Sequence, residues 1–404
     1  MDTQRIAEGS PTTFLPMMAL VFMAFFVIGL AMPVLPLHVH EGLGLGTFMV
    51  GLVAGSQFAA SLVSRMWAGR HADSRGAKHA VVTGLAVAAA AGLLYLVSLR
   101  FVTHPRISAT ILLLGRALLG AGESFIITGA QSWGLALGGP RNTGKVLAWM
   151  GTAMYAAFAL GAPAGTFLYA GYGFDAIALA TTLVPLAALV LVTPLQRVPP
   201  TTRVRPALTK VLAAVSGPGI GLALSSVGFG ATTAFVGLLF AARGWTVWPA
   251  FTAFAAAFIL ARVFFGHLAD RVGGAKVALI CVLIEAAGQA LLWLASSPGM
   301  ALIGAALTGF GYSLVYPGFG VEAVRLAPAQ SRGLAMGAYT AFLDVALAIA
   351  SPALGLIAAA RGISAVFLAS TLVVLCASGV AFMNGLHRSM RRQPSSRLSP
   401  HSLN

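Results

Sequence analysis

Long apolar runs recur along almost the whole chain, and they constrain its fold more than any other feature. Of the 404 residues, 58% are hydrophobic and 9% are charged, whereas about a quarter of a soluble domain is charged. A helix needs about 20 mostly apolar residues to span a bilayer. Twelve runs meet that requirement, over residues 14–37, 46–66, 79–99, 107–130, 145–170, 174–194, 210–241, 246–266, 277–296, 300–324, 333–358 and 363–384. The sequence therefore predicts an all-α membrane protein with twelve transmembrane helices.

The twelve runs fall into two groups of six, divided by one long polar connector that is rich in proline and arginine. This pattern predicts five regions: a short segment at 1–13, a six-helix bundle at 14–194, a linker at 195–209, a second six-helix bundle at 210–386 and a tail at 387–404. The tail is basic and rich in serine. Such a composition is typical of disorder.

Lysine and arginine are distributed unevenly between the two sides that this arrangement creates. Twenty of the 25 lie on the side that holds both termini, four lie on the other side, and Arg116 lies within a span. Loops that remain in the cytoplasm carry the excess of Lys and Arg. We therefore expect a multi-pass protein of the cell inner membrane with both termini in the cytoplasm. This orientation accounts for the net charge of +15 without a nucleic-acid partner, and the lipid bilayer is the expected partner instead.

A short basic loop, predicted over residues 65–78 between two apolar runs, occurs twice, half a chain apart. Four of its residues recur in the same order 197 positions later, since 262 − 65 = 197. Arg65, Gly69, Asp73 and Gly76 are matched by Arg262, Gly266, Asp270 and Gly273, and the two copies end at Lys78 and Lys276. Further matches at an offset of 189 connect Gly120 with Gly309 and Pro163 with Pro352. Two like-oriented copies of one unit are typical of transporters that rock about a central site.

These motifs resemble those of the major facilitator superfamily. Gly69-x-x-Ala-Asp73-x-x-Gly76 and its copy resemble the signature loop of that superfamily, and Arg116-x-x-x-Gly120-x-Gly122 resembles its fourth-helix motif. Two more motifs are similar to those in spans 1 and 5 of its twelve-helix drug:proton antiporters: Gly29-x-x-x-Pro33-Val-Leu-Pro36 and Gly161-Ala-Pro163-Ala-Gly165. Ala162 and Thr166 depart from the fifth-helix pattern. Within the superfamily, the chain resembles a bacterial group of arabinose-efflux-like permeases.

The resemblance implies the major-facilitator fold, in which two pseudo-symmetric six-helix halves enclose a substrate cavity. It also implies that the two copies of the repeated stretch form a conformational latch between the halves. The residues of this latch are Arg65, Gly69, Asp73, Gly76, Lys78, Arg262, Gly266, Asp270 and Gly273. A pliable, water-tight segment is implied at Gly161, Pro163 and Gly165, with Pro352 as its counterpart in the second half.

Three carboxyl groups and one guanidinium lie deep within the predicted spans, where ionisable side chains are costly and usually functional. They belong to Glu123, Glu285, Asp344 and Arg116. Arg116 and Glu123 are two turns apart on one helix face, about 10 Å along its axis. We expect Glu123 and Asp344 to face one cavity and, with Arg116, to carry a coupled proton. A structural ion pair is the alternative. In the superfamily's fold, the helix that carries Glu285 is peripheral. The sequence does not indicate which residue the Glu285 carboxyl pairs with.

Polar and aromatic residues of the predicted spans are candidates for contact with a small-molecule substrate. These are Phe26, Gln57, Gln131, Tyr155, Phe229, Thr232, Tyr312 and Tyr316. Each of them could instead serve helix packing or anchor the chain at the membrane interface.

Together these features predict a monomeric secondary transporter that exports a small drug-like, sugar-like or zwitterionic molecule in exchange for protons. A proton gradient supplies the energy, and neither a cofactor nor a metal is expected. Two alternatives are a proton-coupled uptake symporter and a membrane receptor on a transporter scaffold. The sequence contains no catalytic triad, metal-binding helix or phosphate-binding loop, so we do not expect an enzyme. The charges expected in the cavity fit cations, neutral amphiphiles and zwitterions equally well.

Overall fold

The computed structural model describes residues 11–138, 143–198, 208–327 and 332–392, and the regular elements in these ranges are all helical. The first half contains α1 (Pro11–Leu37), a π-helical turn (His38–Gly42), α2 (Thr47–Arg75), α3 (Ala77–Leu99), α4 (Pro105–Gly138) and α5 (Thr143–Val192). The second half contains α6 (Leu208–Ala242), α7 (Trp248–Phe265), α8 (Leu268–Arg271), α9 (Gly274–Leu294), α10 (Pro298–Leu326), α11 (Arg332–Arg361) and α12 (Ile363–Arg392). The predicted all-α membrane fold is confirmed.

Helix α5 accounts for two of the predicted spans. In the described ranges, eleven helices are long and apolar enough to cross a membrane, and the one within α5, Trp149–Val192, has 44 residues. That length is about twice what one crossing requires. At Gly173 the backbone leaves the helical region, with φ 69° and ψ −167°, a conformation that glycine adopts readily because it has no Cβ. The two arms of α5 therefore correspond to spans 5 and 6, and α6 corresponds to span 7.

The two copies of the repeated stretch turn at equivalent glycines but enter the turn differently. Gly76 has φ 97° and Gly273 has φ 110°, values that favour glycine. In the first copy α2 continues to Arg75, so the expectation that the loop begins at Arg65 is wrong, and Arg65 lies within a helix. In the second copy α7 ends at Phe265 and the short α8 precedes the turn. We call the end of the bundle that carries Gly76 and Gly273 the repeat end.

The predicted linker and tail lie largely outside the described residues. Residues 199–207 and 393–404 lie outside the described ranges. The expectation of disorder is wrong for residues 387–392, because α12 continues through Arg392. At the other terminus, α1 begins at Pro11 rather than at residue 14, and residues 1–10 lie outside the described ranges.

Two pairs of helices form the main contacts between the halves: α2 packs against α11, and the first arm of α5 packs against α7, while α1 also contacts α6. These pairs correspond to spans 2 and 11 and to spans 5 and 8, which are equivalent pairs if the halves are copies of each other. At the end opposite the repeat end, Gly51 lies so close to α11 that a Cβ would collide with the Ser351 carbonyl. There Thr47 Oγ1 also donates a hydrogen bond to Gly355 O at 2.9 Å. Small residues therefore let the halves meet closely at that end.

Candidate functional site

An ion pair between Arg65 and Asp344 joins the two halves inside the protein. Nη2 of Arg65, on α2, contacts Oδ2 of Asp344, on α11. The Asp344 side chain is 2% exposed and that of Arg65 is 18% exposed. Arg65 lies ten residues before the end of α2 at Arg75, which places it about 15 Å from the repeat end. A buried charge of this kind depends on its partner, since removing one member leaves the other uncompensated.

A second buried acid, Glu123, lies beside this ion pair. Its carboxylate accepts a hydrogen bond from Gln57 Nε2, with 2.6 Å between the nitrogen and Oε2. Helices α2 and α4 approach so closely here that a Cβ on Gly120 would collide with the Gln57 carbonyl. Glu123 is also near enough to Arg65 and Asp344 for their charges to interact. We call Arg65, Asp344, Glu123 and Gln57 the interface cluster.

A structural ion pair between Arg116 and Glu123, the alternative to proton coupling, does not occur among the hydrogen bonds of the described residues. Arg116 is buried at 2% exposure, and its Nε and Nη1 have no hydrogen-bond partner in the described part of the chain. Its charge acts on Glu123 and on Tyr95 of α3, but the carboxylate's hydrogen bond comes from Gln57. A role for Arg116 in proton coupling stays a prediction.

Sequence reasoning missed that Arg65 belongs to this site, because the repeated stretch was assigned to a loop. One signal could have shown it. Gln57, Ser61 and Arg65 are spaced by four residues, which places them on one face of a helix. In the structure Arg65 Nη2 lies 3.4 Å from Ser61 Oγ, so the three side chains form a polar stripe on α2.

Arg262, the counterpart of Arg65, also reaches across the interface between the halves. Its guanidinium carbon lies 5.2 Å from the ring centroid of Tyr155, on α5. Nη1 of Arg262 donates a hydrogen bond to Ser313 O at 3.0 Å. Asp344 lies 189 positions after Tyr155, because 344 − 155 = 189. This is the offset that relates Pro163 to Pro352, so the two arginines contact equivalent positions of the opposite halves.

Aromatic side chains from both halves surround the Tyr155 ring. Its centroid lies 5.3 Å from that of Phe258 and 5.3 Å from that of Tyr316. Phe229 stacks on Tyr312 at 4.7 Å and lies 6.4 Å from Phe158. Four of the predicted substrate-contact residues, Tyr155, Phe229, Tyr312 and Tyr316, are thus brought together. We call this group, with Phe158 and Phe258, the aromatic cluster.

The other predicted contact residues lie elsewhere, apart from Gln57 in the interface cluster. Phe26 stacks on Phe22 of its own helix at 5.7 Å, and Gln131 is half-buried on α4. Thr232 accepts a hydrogen bond from Gln289 Nε2 at 2.8 Å, which directs it toward α9 rather than toward the aromatic cluster. Their contact with substrate remains a prediction.

Glu285 is buried among helices of the second half, away from the interface cluster. Ser225 on α6 donates a hydrogen bond to its Oε2. Gln289, one turn later on α9, donates to Thr232 and, at 3.2 Å, to Thr308. This seam of polar side chains holds α6, α9 and α10 together. Within the described residues, no group of three His, Cys, Asp or Glu side chains could hold a metal ion.

The residues of the predicted latch are spread over several contacts. Lys78 Nζ donates to the carbonyls of Thr193 at 2.6 Å and Leu195 at 2.7 Å, so it binds the end of α5 in its own half. A lysine is favourable there because the last carbonyls of a helix carry partial negative charge. Asp73 is exposed at the repeat end, and the side chain of Asp270 lies outside the described residues.

The segment around Pro163 packs within its own half, whereas its counterpart packs across the interface. Gly161 lies against Gly29 of α1, and Gly165 against the backbone of Leu30. Pro352 lies beside Gly51 and Gly55 of α2. The role of these positions in keeping the protein water-tight remains a prediction.

Comparisons with known proteins match the chain over nearly its full length. The family model of the Major Facilitator Superfamily matches residues 17–248 and 211–403. An uncharacterised MFS-type transporter of Salmonella typhimurium is 42% identical over 366 residues, covering 90% of this chain and 94% of that protein. Another, from Pseudomonas aeruginosa, is 41% identical over 372 residues, 92% of each chain. The crystal structure of a bacterial homolog of the human lysosomal transporter Spinster aligns with a TM-score of 0.71 at 14% identity, over 95% of this chain and 98% of that chain.

Proposed function

The chain belongs to the major facilitator superfamily and is a transporter rather than an enzyme, and from this premise we propose that it exports a small organic molecule in exchange for protons. The protein acts as a monomer in the cell inner membrane, with both termini and the repeat end in the cytoplasm. The proton gradient supplies the energy without a cofactor. The excess of Lys and Arg on the side of the repeat end supports this orientation.

The observation that carries the proposal is the buried ion pair between Arg65 and Asp344. In a rocking transporter the halves separate alternately at the two ends. Separating the helices that bear this pair leaves two charges without partners in a medium of low dielectric constant, which costs several kcal/mol. Protonation of the Asp344 carboxyl removes one of the two charges. A proton on Asp344 therefore allows the halves to separate at the repeat end.

This dependence on protonation favours exchange over co-transport. The protonated protein opens at the repeat end and releases its proton to the cytoplasm, where substrate enters. Loss of the proton restores the ion pair, closes the repeat end and commits the loaded protein to open on the other side. Proton and substrate thus move in opposite directions.

Glu123 is the second member of the proton path. The carboxylates of Glu123 and Asp344 both interact electrostatically with the Arg65 guanidinium. A proton on either acid therefore changes the net charge around that guanidinium. The hydrogen bond from Gln57 holds the Glu123 side chain in place while its charge changes. The motifs in spans 1 and 5 that resemble those of antiporters support export, and uptake by symport is the alternative.

Transport into proteoliposomes separates these functions. The purified protein is reconstituted with a pH-sensitive dye inside the vesicles, a proton gradient is imposed, and a panel of sugars, cationic dyes and small organic acids is added in turn. Exchange predicts that a transported compound moves against the proton flux and dissipates the gradient. Accumulation of the compound in the direction of the proton flux would identify a symporter instead, and binding without any flux would identify a receptor.

Variants connect the flux to the interface cluster. We expect Asp344→Asn to abolish proton movement on addition of substrate. Glu285→Gln is the matched control, because it also neutralises a buried acid of the second half but lies outside the cluster. Proton exchange that persists at the wild-type rate in Asp344→Asn would refute the coupling assignment.

A further inference from the structure

The two arginines that cross the interface differ in what they meet. Arg65 meets the carboxylate of Asp344, whereas Arg262 meets the uncharged ring of Tyr155 at the equivalent position. The repeated architecture therefore compensates the charge of one guanidinium with an acid and covers the other with an aromatic face. The charge of Arg262 lies at the interface between the halves, beside the aromatic cluster.

The surroundings of Arg262 leave its guanidinium able to bind an anion. Ring faces attract a guanidinium from above its plane, and a guanidinium offers five N–H donors that lie within that plane. Among the described residues, the bond from Nη1 to Ser313 O uses one of these donors. The titratable side chains that interact electrostatically with the Arg262 guanidinium are three tyrosines, Tyr155, Tyr316 and Tyr339. The in-plane edge of the guanidinium is the part that binds carboxylates in a fork geometry.

Tyr155 supplies a second donor at the same place. Its side chain is 3% exposed, and its hydroxyl has no hydrogen-bond partner within the described part of the chain. Leaving a buried hydroxyl without a partner is unfavourable, so this group is poised to donate to a ligand. Arg262 can only donate hydrogen bonds, and the Tyr155 hydroxyl, which has no partner in the described part of the chain, can donate its hydrogen to the same acceptor. Two donors, one of them cationic, select an anionic acceptor.

The walls around these donors are aromatic. Phe258 and Tyr316 each lie 5.3 Å from the Tyr155 ring, and Phe158 lies 6.2 Å from it. Such walls favour a flat apolar body through offset and edge-to-face contacts. We infer that Arg262 and Tyr155 bind the carboxylate of an amphipathic aromatic anion, whose ring system packs in the aromatic cluster. This inference rests on the proposed transport function and names the chemical class of its substrate.

Direct binding tests the inference without a proton gradient. The purified full-length protein in detergent is titrated with 2-naphthoate, with the neutral isostere 2-naphthamide and with the cation 2-naphthylmethylammonium, and heat is measured by calorimetry. We expect 2-naphthoate to bind at least about tenfold more tightly than either isostere, since a charge-assisted hydrogen bond corresponds to about that factor. Arg262→Gln should remove the preference, and Tyr155→Phe should reduce it while keeping the aromatic wall.

Two controls keep the result interpretable. Arg106→Gln removes an exposed arginine at the opposite end of the bundle and should retain the preference for 2-naphthoate. Arg262→Lys retains the charge but loses the fork of donors, so a monodisperse, folded Arg262→Lys protein with weakened naphthoate binding separates recognition from misfolding. If the preference survives in Arg262→Gln, if the cation binds best, or if the three compounds bind equally, the inference is wrong.

The binding assay also distinguishes this inference from the proposed function. Anion-selective binding at Arg262 without proton-coupled flux would uphold the site and overturn the exporter. Proton exchange driven by cationic or neutral compounds, with no anion preference in the binding assay, would uphold the exporter and overturn the site.

Discussion

Arg65 on α2 and Asp344 on α11 form a buried ion pair between residues 279 positions apart in the chain. Arg65 belongs to the first copy of the duplicated unit and Asp344 to the second. In the equivalent contact the copies exchange roles, with Arg262 in the second copy and Tyr155 in the first. The duplication therefore produced two geometrically related contacts with different chemistry. One contact joins a guanidinium to a carboxylate, and the other joins a guanidinium to an uncharged aromatic ring.

The first prediction concerns the contribution of the ion pair to stability. Asp344→Asn leaves Arg65 without its counterion, and Arg65→Gln leaves Asp344 without its own, so each single change should lower the free energy of unfolding by about 3 kcal/mol. The double variant should recover much of that loss, because neither charge is then left alone. Unfolding in mixed micelles, compared across the four proteins, measures the coupling. Losses that simply add to within about 0.5 kcal/mol would show that the two residues act independently.

The second prediction concerns Glu123. Glu123→Gln preserves the shape of the side chain and still allows a hydrogen bond with Gln57, but it removes the titrating group. We expect a folded protein of near wild-type thermal stability in which the dependence of transport on pH is lost or much reduced. Glu285→Gln, assayed in parallel, should keep the wild-type pH profile. An unchanged profile in Glu123→Gln would remove this residue from the proton path.

The third prediction concerns the close contact of α2 and α11 at the end opposite the repeat end. A methyl group at Gly51 would collide with the backbone of Ser351, so Gly51→Ala should hold that end apart and slow transport. Spin labels at positions 103 and 361, both exposed near that end, should report a longer distance. Gly337→Ala is the control, because a Cβ at Gly337 meets nothing within 4 Å. Equal distances in the two variants would show that Gly51 does not set the contact between α2 and α11.

The fourth prediction concerns the latch implied by the repeated stretch. Asp73 is expected to lie near the positive end of a helix of the other half, where a carboxylate gains about 0.3–1 kcal/mol. Asp73→Asn should therefore shift the ratio of open to closed states at the repeat end by about two- to fivefold. Distance measurements between labels at positions 74 and 272, which are exposed in different halves, would show the shift. No change in the distance distribution would exclude Asp73 as a latch.

The fold was predictable from the sequence because the length of the hydrophobic runs and the duplication of a motif can both be recognised without knowing which helices pack together. The interface cluster was only partly predictable. Glu123 and Asp344 stood out as acids within apolar runs, but their partners depend on how α2 packs against α4 and α11. Gln57 and Arg65 lie on one face of α2, and which helices that face meets follows from packing between residues far apart in the chain. Because Arg65 begins the repeated stretch, the sequence pattern also predicts that it lies in a loop. In the structure α2 continues for ten more residues.

The equivalence of Tyr155 and Asp344 was present in the sequence, since both positions obey the offset of 189 that relates Pro163 to Pro352. Its meaning required the structure. Only the structure shows that Arg65 and Arg262 reach these two positions across the interface between the halves. Duplicated proteins can thus be searched for positions where one copy carries an acid and the other does not.

In the proposed cycle, a proton on Asp344 opens the halves at the repeat end. The most direct test is a distance measurement between spin labels on Ser74→Cys and Val272→Cys, with Cys281 and Cys376 replaced, over a range of pH. We expect the wild-type background to pass from a short to a long distance as pH falls, and Asp344→Asn to show the long distance at every pH. A distance that does not depend on pH in the wild-type background, or one that still changes by the full amount in Asp344→Asn, would show that Asp344 does not control the opening of the repeat end.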